Sequence, residues 1–297
     1  MTFRDLEYLV AVADHGHFGR AAESCHATQS TLSLQLQKLE AELGVQLVER
    51  TNRRVVVTPT GQLLVERARQ ILRSRQELLD DAAIESGQMP REITLGMIPT
   101  IAPYLLHRVL PAMRREHPGT RVRIVEDVTT TLERGVAQGE LDAAIIATPV
   151  TDTLLEDAAL MEDELLLAVP ESHEWALRRR RLNPAAMEGD RLLLLKDGHC
   201  LKDQVLGYCS AQGAVSGHES VAASIATLME LIRQGEGVTL VPRMAVDSMG
   251  AAPGVAFLKL DPTPSRTVRL ITRKTSRLGR FLTATLTKRG SNIPHKR

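Results

Sequence analysis

No apolar run in the sequence approaches the roughly 18 residues that a membrane-spanning helix needs. The first residues, Met1-Thr2-Phe3-Arg4-Asp5, lack the charged-then-apolar pattern of a secretory signal. Both absences predict a cytoplasmic protein with no membrane partner. Cysteine is equally sparse, with three in 297 residues, at Cys25, Cys200 and Cys209. In a reducing compartment three thiols are no structural disulfide framework, and any disulfide among them is transient. No Cys-x-x-Cys pair occurs and Cys25 is remote from the other two, which argues against zinc; no metal and no cofactor are expected. Charge of one sign is lacking too: the formal net charge is +1, and residues 1–60 hold six Lys or Arg against seven Asp or Glu. A nucleic-acid reading must therefore rest on where the basic groups sit. What remains, 43% hydrophobic and 25% charged, is ordinary soluble composition over a length sufficient for two domains.

The most informative stretch is Gly198-His199-Cys200-Leu201-Lys202-Asp203-Gln204, with Cys209 following. It comes after four leucines, Leu192 to Leu195, which read as a buried strand, so a thiol emerges from a strand end. His199, Lys202 and a following segment that can open a helix all favour thiolate, making Cys200 a candidate nucleophile. Two thiols bridge only if their α-carbons come within about 7 Å. A helix between them separates them by roughly 13 Å, so bonding requires local unfolding. That arrangement suits a redox switch. The alternative is that both cysteines are small buried hydrophobes.

At the N-terminus, Leu6, Leu9, Val10, Val12 and Ala13 recur at helical spacing up to His15-Gly16, a second helix spans Gly19 to Ser24, and Thr28 caps a third from Gln29 to about Leu43. In the third helix Leu32, Leu36, Leu39 and Leu43 form the predicted core stripe. Ser30, Thr31, Ser33, Gln35 and Lys38 populate the other faces, with groups able to reach base edges and phosphates in a major groove. Asn52-Arg53-Arg54 then reads as a turn between two β-prone runs, a wing whose arginines can grip phosphate or enter a minor groove.

Residues 3 to 62, through Phe18, Ala21-Ala22, Thr28-Gln29-Ser30, Leu32-Ser33, Gln35, Leu39-Glu40, Leu43-Gly44, Leu47, Arg50, Thr58 and Gly61, resemble the winged helix-turn-helix of LysR-type transcriptional regulators. Ser30 replaces a common proline, and Gln37 replaces a common basic residue. The resemblance implies double-stranded promoter DNA as partner, with Thr28, Gln29, Ser30, Thr31, Ser33, Gln35, Lys38, Arg50, Arg53 and Arg54 at the interface. From Thr60-Gly61 to about Ser86 heptad-like spacing, broken by Arg75, predicts a long helix. In the family this is the dimerising linker helix, and Gly87-Gln88-Met89-Pro90 reads as a hinge.

After Pro90, strands (93–97, 122–126, 143–147, 165–169, 192–195, 238–241, 268–272) alternate with helices (104–116, 132–138, 221–234), the pattern of βαβ units on a parallel sheet. The expected architecture is an all-α winged helix-turn-helix (1–60), a linker helix and hinge (61–89) and an α/β regulatory domain (90–297). Two lobes resembling a periplasmic binding protein are expected in the last, lobe I at about 90–161 and 266–297 and lobe II at about 162–265. Ligands in such folds sit at strand carboxyl ends, here Pro99-Thr100, Val128-Thr129-Thr130 and His199-Cys200.

Asp197 to Gln204 with Cys209 closely resembles the hydrogen-peroxide-sensing members of the family. That resemblance implies Cys200 as peroxidatic and Cys209 as resolving cysteine, with a peroxide pocket of Thr100, Thr129, His199 and Arg266. It also implies a dimer of dimers that works with RNA polymerase and is restored by thioredoxin or glutaredoxin, a stoichiometric sensor and not an enzyme. Two other readings stand beside it: a regulator answering to a small organic ligand with both cysteines structural, and a thiol peroxidase. Thr100 has a rival role as a helix cap, and Arg266 one as a surface ion pair. Cys25 is assigned to core packing, and residues 290–297 do not continue the preceding helix.

Overall fold

The computed structural model describes residues 1–50, 55–177, 182–187, 189–213 and 217–287, with the side chains of Arg50, Ala186 and residues 218–220 left aside. The expected wing tip, Arg53 and Arg54, and the 290–297 tail lie outside the described residues. Contacts divide the chain into two units, Met1–Ala82 and Ala83–Arg297.

In the first unit helices α1 (Phe3–His15), α2 (Phe18–Ser24) and α3 (Gln29–Leu43) precede a two-stranded antiparallel ladder, β1 (Val48–Arg50) with β2 (Val55–Val57), and then the long helix α4 (Pro59–Glu85). Local chemistry sets these boundaries. Thr2 and Asp5 form a reciprocal capping box on α1, which ends on the left-handed Gly16. Thr28 caps α3 by accepting from the Thr31 backbone N–H, and left-handed Gly44 ends it. His26, at φ 51°, makes the turn between α2 and α3. Leu9, Val12, Ala21, Leu32, Leu36, Leu39, Leu47, Val65 and Ala68 form the core, with Cys25 packed partly against it. Leu43 departs from expectation: it is 38% exposed, because α3 outruns the small core by one turn. Arg75, which interrupts the α4 stripe, is explained by α1: it lies 3.8 Å from Glu7 and over the Phe3 ring.

The second unit begins with β3 (Glu92–Met97), α5 (Ala102–Glu116), β4 (Arg121–Glu126), α6 (Thr129–Ala137) and β5 (Ala143–Ile146). Then come β6 (Leu155–Pro170), α7 (Glu174–Leu177), a 3-10 turn (Pro184–Met187), β7 (Leu192–Leu195), α8 (Cys200–Ala211), β8 (His218–Ala222) and α9 (Ile225–Arg233). The last elements are β9 (Thr239–Pro242), α10 (Arg243–Met249), β10 (Val255–Leu258), β11 (Ser265–Arg273) and α11 (Leu278–Thr287). β3 pairs in parallel with β4 and β5, and β7 with β8, as the alternation predicts. The remainder is antiparallel: β11 runs against β5 and β6, while β6 also pairs β9 and β10. The sheet is therefore mixed.

Two expectations are corrected here. The strand expected at 165–169 is the apolar end of the 16-residue β6, whose first ten positions carry Glu156, Asp157, Glu162, Asp163 and Glu164 and so hide the strand signal. The helix expected from Val221 begins at Ile225, where Ser224 caps it by accepting from the Thr227 N–H, and Val221 and Ala222 close β8. Two hydrophobic cores result. One is centred on Met97, Leu105, Ile145, Val268 and Leu282, the other on Leu167, Leu194, Val205, Ile232 and Val241. β6 supplies both, Leu155 and Leu160 to the first and Leu165 to Val169 to the second.

Close backbone approach gives one stability test in the first unit. A Cβ at Gly61 would stand 2.1 Å from the Leu47 carbonyl oxygen. Gly61→Ala should therefore destabilise the N-terminal unit by about 1–3 kcal/mol, read as a lower denaturation midpoint, whereas Gly119→Ala, with open space around it and no left-handed backbone, should not lose stability by clash.

Candidate functional site

The site begins where β7 ends. Four buried leucines carry the chain to Gly198, whose φ of +93° only glycine adopts freely, and the turn delivers Cys200 to the first position of α8. Two other strand ends arrive at the same place: Ile98-Pro99-Thr100 after β3, and Val128-Thr129 ahead of α6. These residues with Gly198, His199 and Cys200 line one closely packed pocket. Three separate loops named from the sequence thus converge on one pocket.

Arg266 backs this pocket and is no surface ion pair. Its side chain is fully buried, with Nε donating to Asp163 Oδ2 at 3.0 Å, Nη1 to Thr100 Oγ1 at 2.9 Å and Nη2 to the Thr100 carbonyl at 3.0 Å. Thr100 is buried and does not cap α5, whose N-cap residue is Ile101 with no side-chain bond. Asp163 also accepts from the Met244 N–H at 3.0 Å. Burial holds its carboxyl above the usual carboxylate range, against the pull of Arg266. The hydroxyl oxygen of Thr129 is buried without a well-formed hydrogen bond, yet lies close enough to the Cys200 sulfur to favour its thiolate.

The charges that act on Cys200 differ from those the sequence suggested. Burial pushes the thiol up, and the groups that pull it back are first Arg266, then Thr129 and the backbone N–H of Cys200 itself, with Asp203 opposing them. Lys202 is engaged by Asp197, and burial lowers the pKa of His199, which leaves its imidazole neutral at pH 7. Neither contributes the cationic help expected of it.

Cys209 lies on the same helix, buried at 3% exposure, in the second core, whereas Cys200 packs against the first. Both thiols are free. Nine residues of helix place them roughly 13 Å apart along the axis and on opposite sides. Gln204, between them, donates to the Ala147 carbonyl at 2.6 Å while its own carbonyl oxygen is buried without a partner.

In the N-terminal unit Thr28, Gln29, Ser30, Thr31 and Lys38 are exposed, and Ser33 and Gln35 half-buried. The Thr28 hydroxyl joins a cap network with Ser30 and Thr31. The sequence reading missed Leu34, 52% exposed amid these polar groups, because an isolated leucine off the core stripe carries no periodic signal. It also missed Asp163, whose significance lies in a cross-strand partner 103 residues away.

Two family models match the chain. The first, bacterial regulatory helix-turn-helix protein of the lysR family, covers residues 3–62, and the LysR substrate binding domain covers 86–286. The chain belongs to the LysR family. It is 41% identical over 279 residues to the DNA-binding transcriptional dual regulator OxyR of Escherichia coli K12, covering 94% of this chain and 91% of that protein. Full-length OxyR of Pseudomonas aeruginosa carrying a cysteine-to-aspartate substitution superposes at a TM-score of 0.76, with 33% identity, 96% of this chain and 94% of that one. A cysteine-to-serine variant of Corynebacterium glutamicum OxyR with hydrogen peroxide bound gives 0.65 and 34%, covering 96% and 91%. Among the described residues of this LysR-family chain, no helix is long and apolar enough to cross a membrane, and no group of three or more metal-ligating side chains could hold a metal ion.

Because burial raises the Cys200 pKa above its ordinary value, only a small thiolate fraction exists at pH 7, and that fraction grows about tenfold per pH unit until the pKa is reached. Alkylation of Cys200 by iodoacetamide should accordingly rise from pH 6 to 8.5 without a plateau. Thr129→Val should slow it by about 10- to 100-fold at pH 7, the effect of one hydrogen bond to a charged group. Peptide-resolved mass spectrometry measures both.

Proposed function

We propose that this LysR-family regulator senses hydrogen peroxide through Cys200 and Cys209 and controls oxidative-stress defence genes. The observation that carries the reading is the pocket. Its walls are packed so closely that they leave no room for a water-sized molecule, against the roughly 300–1,000 Å³ typical of organic-ligand sites, and a thiol stands in its wall beside the Thr129 hydroxyl. A ligand as small as a peroxide needs only a slight parting of these walls, whereas a carboxylate metabolite needs a large one. The relatives named above, one of them solved with hydrogen peroxide bound, point the same way.

In this reading Cys200 is the peroxidatic and Cys209 the resolving cysteine. The Cys200 thiolate attacks one peroxide oxygen; the S–O bond forms, the O–O bond breaks, and the departing hydroxide takes up the proton the thiol released. The products are a sulfenic acid and water. Thr100 and Thr129 orient the peroxide, His199 covers it, and Arg266 favours the thiolate. Cys209 then attacks the sulfenic sulfur, forming the S–S bond and releasing a second water. Two thiols on opposite sides of α8 meet only if the helix unwinds, so the disulfide is a record of local refolding. Refolding between the two cores changes how subunits pair in a dimer of dimers, and so which promoter contacts the heads make. Thioredoxin or glutaredoxin restores the dithiol, RNA polymerase is the downstream partner, and the protein acts in the cytoplasm. Residues 1–60 serve as reading head, 61–89 as dimerising helix and 90–297 as sensor. One peroxide per oxidation cycle makes this sensing, not turnover.

The first test is disulfide mapping after brief exposure to substoichiometric hydrogen peroxide. A Cys200–Cys209 bond in the wild type, a trapped sulfenic acid in Cys209→Ser and shifted promoter footprints on oxidation are expected. Thiols that stay reduced in excess peroxide, with a metabolite shifting the footprint instead, would replace this reading by the organic-ligand one. On the DNA side, Lys38→Ala should weaken binding to all sequences alike and reduce the salt slope by about one. Gln29→Ala should instead cost about 1–3 kcal/mol on the preferred site and relax base preference there, both by titration at several salt concentrations.

A further inference from the structure

Arg266 has two neighbours of opposite consequence. On one side it binds Thr100 in the pocket wall; on the other its Nε is paired with a carboxylate as buried as itself. Asp163 stands directly across from Arg266 in the β6–β11 ladder and is held from behind by the Met244 N–H at the start of α10. All three guanidinium nitrogens are thereby fixed by hydrogen bonds. The charged or titratable groups acting most directly on this network are Asp203 and the neutral His199 near the sulfur, Tyr104 near Arg266 and Asp247 on α10 near Asp163, and Asp163 also borders a cavity shared with His107, Arg108, Glu162, Glu164, Arg243 and Lys259.

In a site shielded from water, a guanidinium paired with a carboxylate presents a dipole, and its pull on a third group is much weaker than that of a bare cation. A thiol beside bare, buried Arg266 would ionise to supply the missing counter-charge. We infer that Asp163 is a positioning residue that acts through Arg266: it fixes the guanidinium on Thr100 and offsets its charge, so that Cys200 rests as a thiol. The raised resting pKa of Cys200, despite a buried arginine nearby, agrees with this. The consequence is selectivity. A resting thiol is slow toward electrophiles and disulfides, which need preformed thiolate. A peroxide held by Thr100 and Thr129 can take up the proton as its O–O bond breaks. This inference rests on Cys200 being the reactive thiol of the proposed function, but its test uses no peroxide for the primary readout.

The experiment is iodoacetamide labelling of the full-length reduced chain at pH 7, with Cys200 quantified by mass spectrometry and native fold checked by near-UV circular dichroism. Asp163→Asn should label Cys200 at least tenfold faster than the wild type, with its labelling pH profile shifted downward. Asp163→Glu, which keeps the charge, should return toward the wild-type rate. Asp163→Ala should label fast, and formate, entering the vacated space as a carboxylate, should slow it again. The ratio of peroxide rate to iodoacetamide rate should fall in both uncharged variants. Labelling no faster than wild type in the folded uncharged variants, or loss of the native fold in both, would assign Asp163 to the fold alone and overturn the inference. If instead labelling accelerates as expected while wild-type Cys200 proves inert to peroxide, the proposed function fails and the electrostatic role of Asp163 stands.

Discussion

A continuous α-helix cannot bring its first and tenth residues together, and α8 carries Cys200 and Cys209 at those two positions. α8 runs from Cys200 to Ala211, turning its first thiol toward one hydrophobic core and its second into another. Leu201, Val205 and Cys209 anchor it in the second core. The Gln204 side chain ties it to Ala147 at the end of β5, and the Tyr208 hydroxyl to the Pro262 carbonyl. Any bond between the thiols is made at the expense of these contacts. In the proposed reading the disulfide and the helix are alternative ways of stabilising the same twelve residues, which would give the segment two discrete states.

The buried Arg266–Asp163 pair shows why such a site needs two strands and not one loop. Removing either partner would leave an uncompensated charge in a dry interior, a loss of about 3–5 kcal/mol in comparable cases. The pair persists because each remaining donor or acceptor is met: Thr100 twice by the guanidinium, the Met244 N–H by the carboxylate. Satisfied in this way, it is rigid, and it fixes Thr100 in the pocket wall independently of what α8 does.

Much of this was legible in the chain. Thr28, Gly16 and Gly44 mark helix ends through capping chemistry that acts within four residues, so α1 and α3 fall where the sequence places them. Leu192 to Leu195 followed by a glycine and a cysteine announces a strand, a turn and a helix start. The three pocket loops were recognisable as strand ends. What the sequence concealed depends on partners far along the chain. β6 is half polar because one of its faces is only partly covered, so only the short run Ala158 to Met161, bracketed by acids, marks its first ten positions. Asp163 looks like one acid among three until β11 is laid against it. Lys202 reads as help for the thiol because it is near in sequence, yet Asp197 holds it, and the helpful cation comes from residue 266. The scarcity of local signal at these points has one cause, electrostatics decided by tertiary proximity.

β6 has a mechanical implication as well. A single strand enters both cores; β11 lies against its first ten residues, with a register shift at Leu160, while β9 and β10 lie against the remainder. Hinged binding proteins open because flexible crossovers let two halves swing apart. Here the crossover is itself a hydrogen-bonded beam, stiff in bending, so the halves have little freedom to gape. If α8 is the switch proposed above, a change there would spread as a local change of surface shape, which neighbouring subunits would read as a new relief.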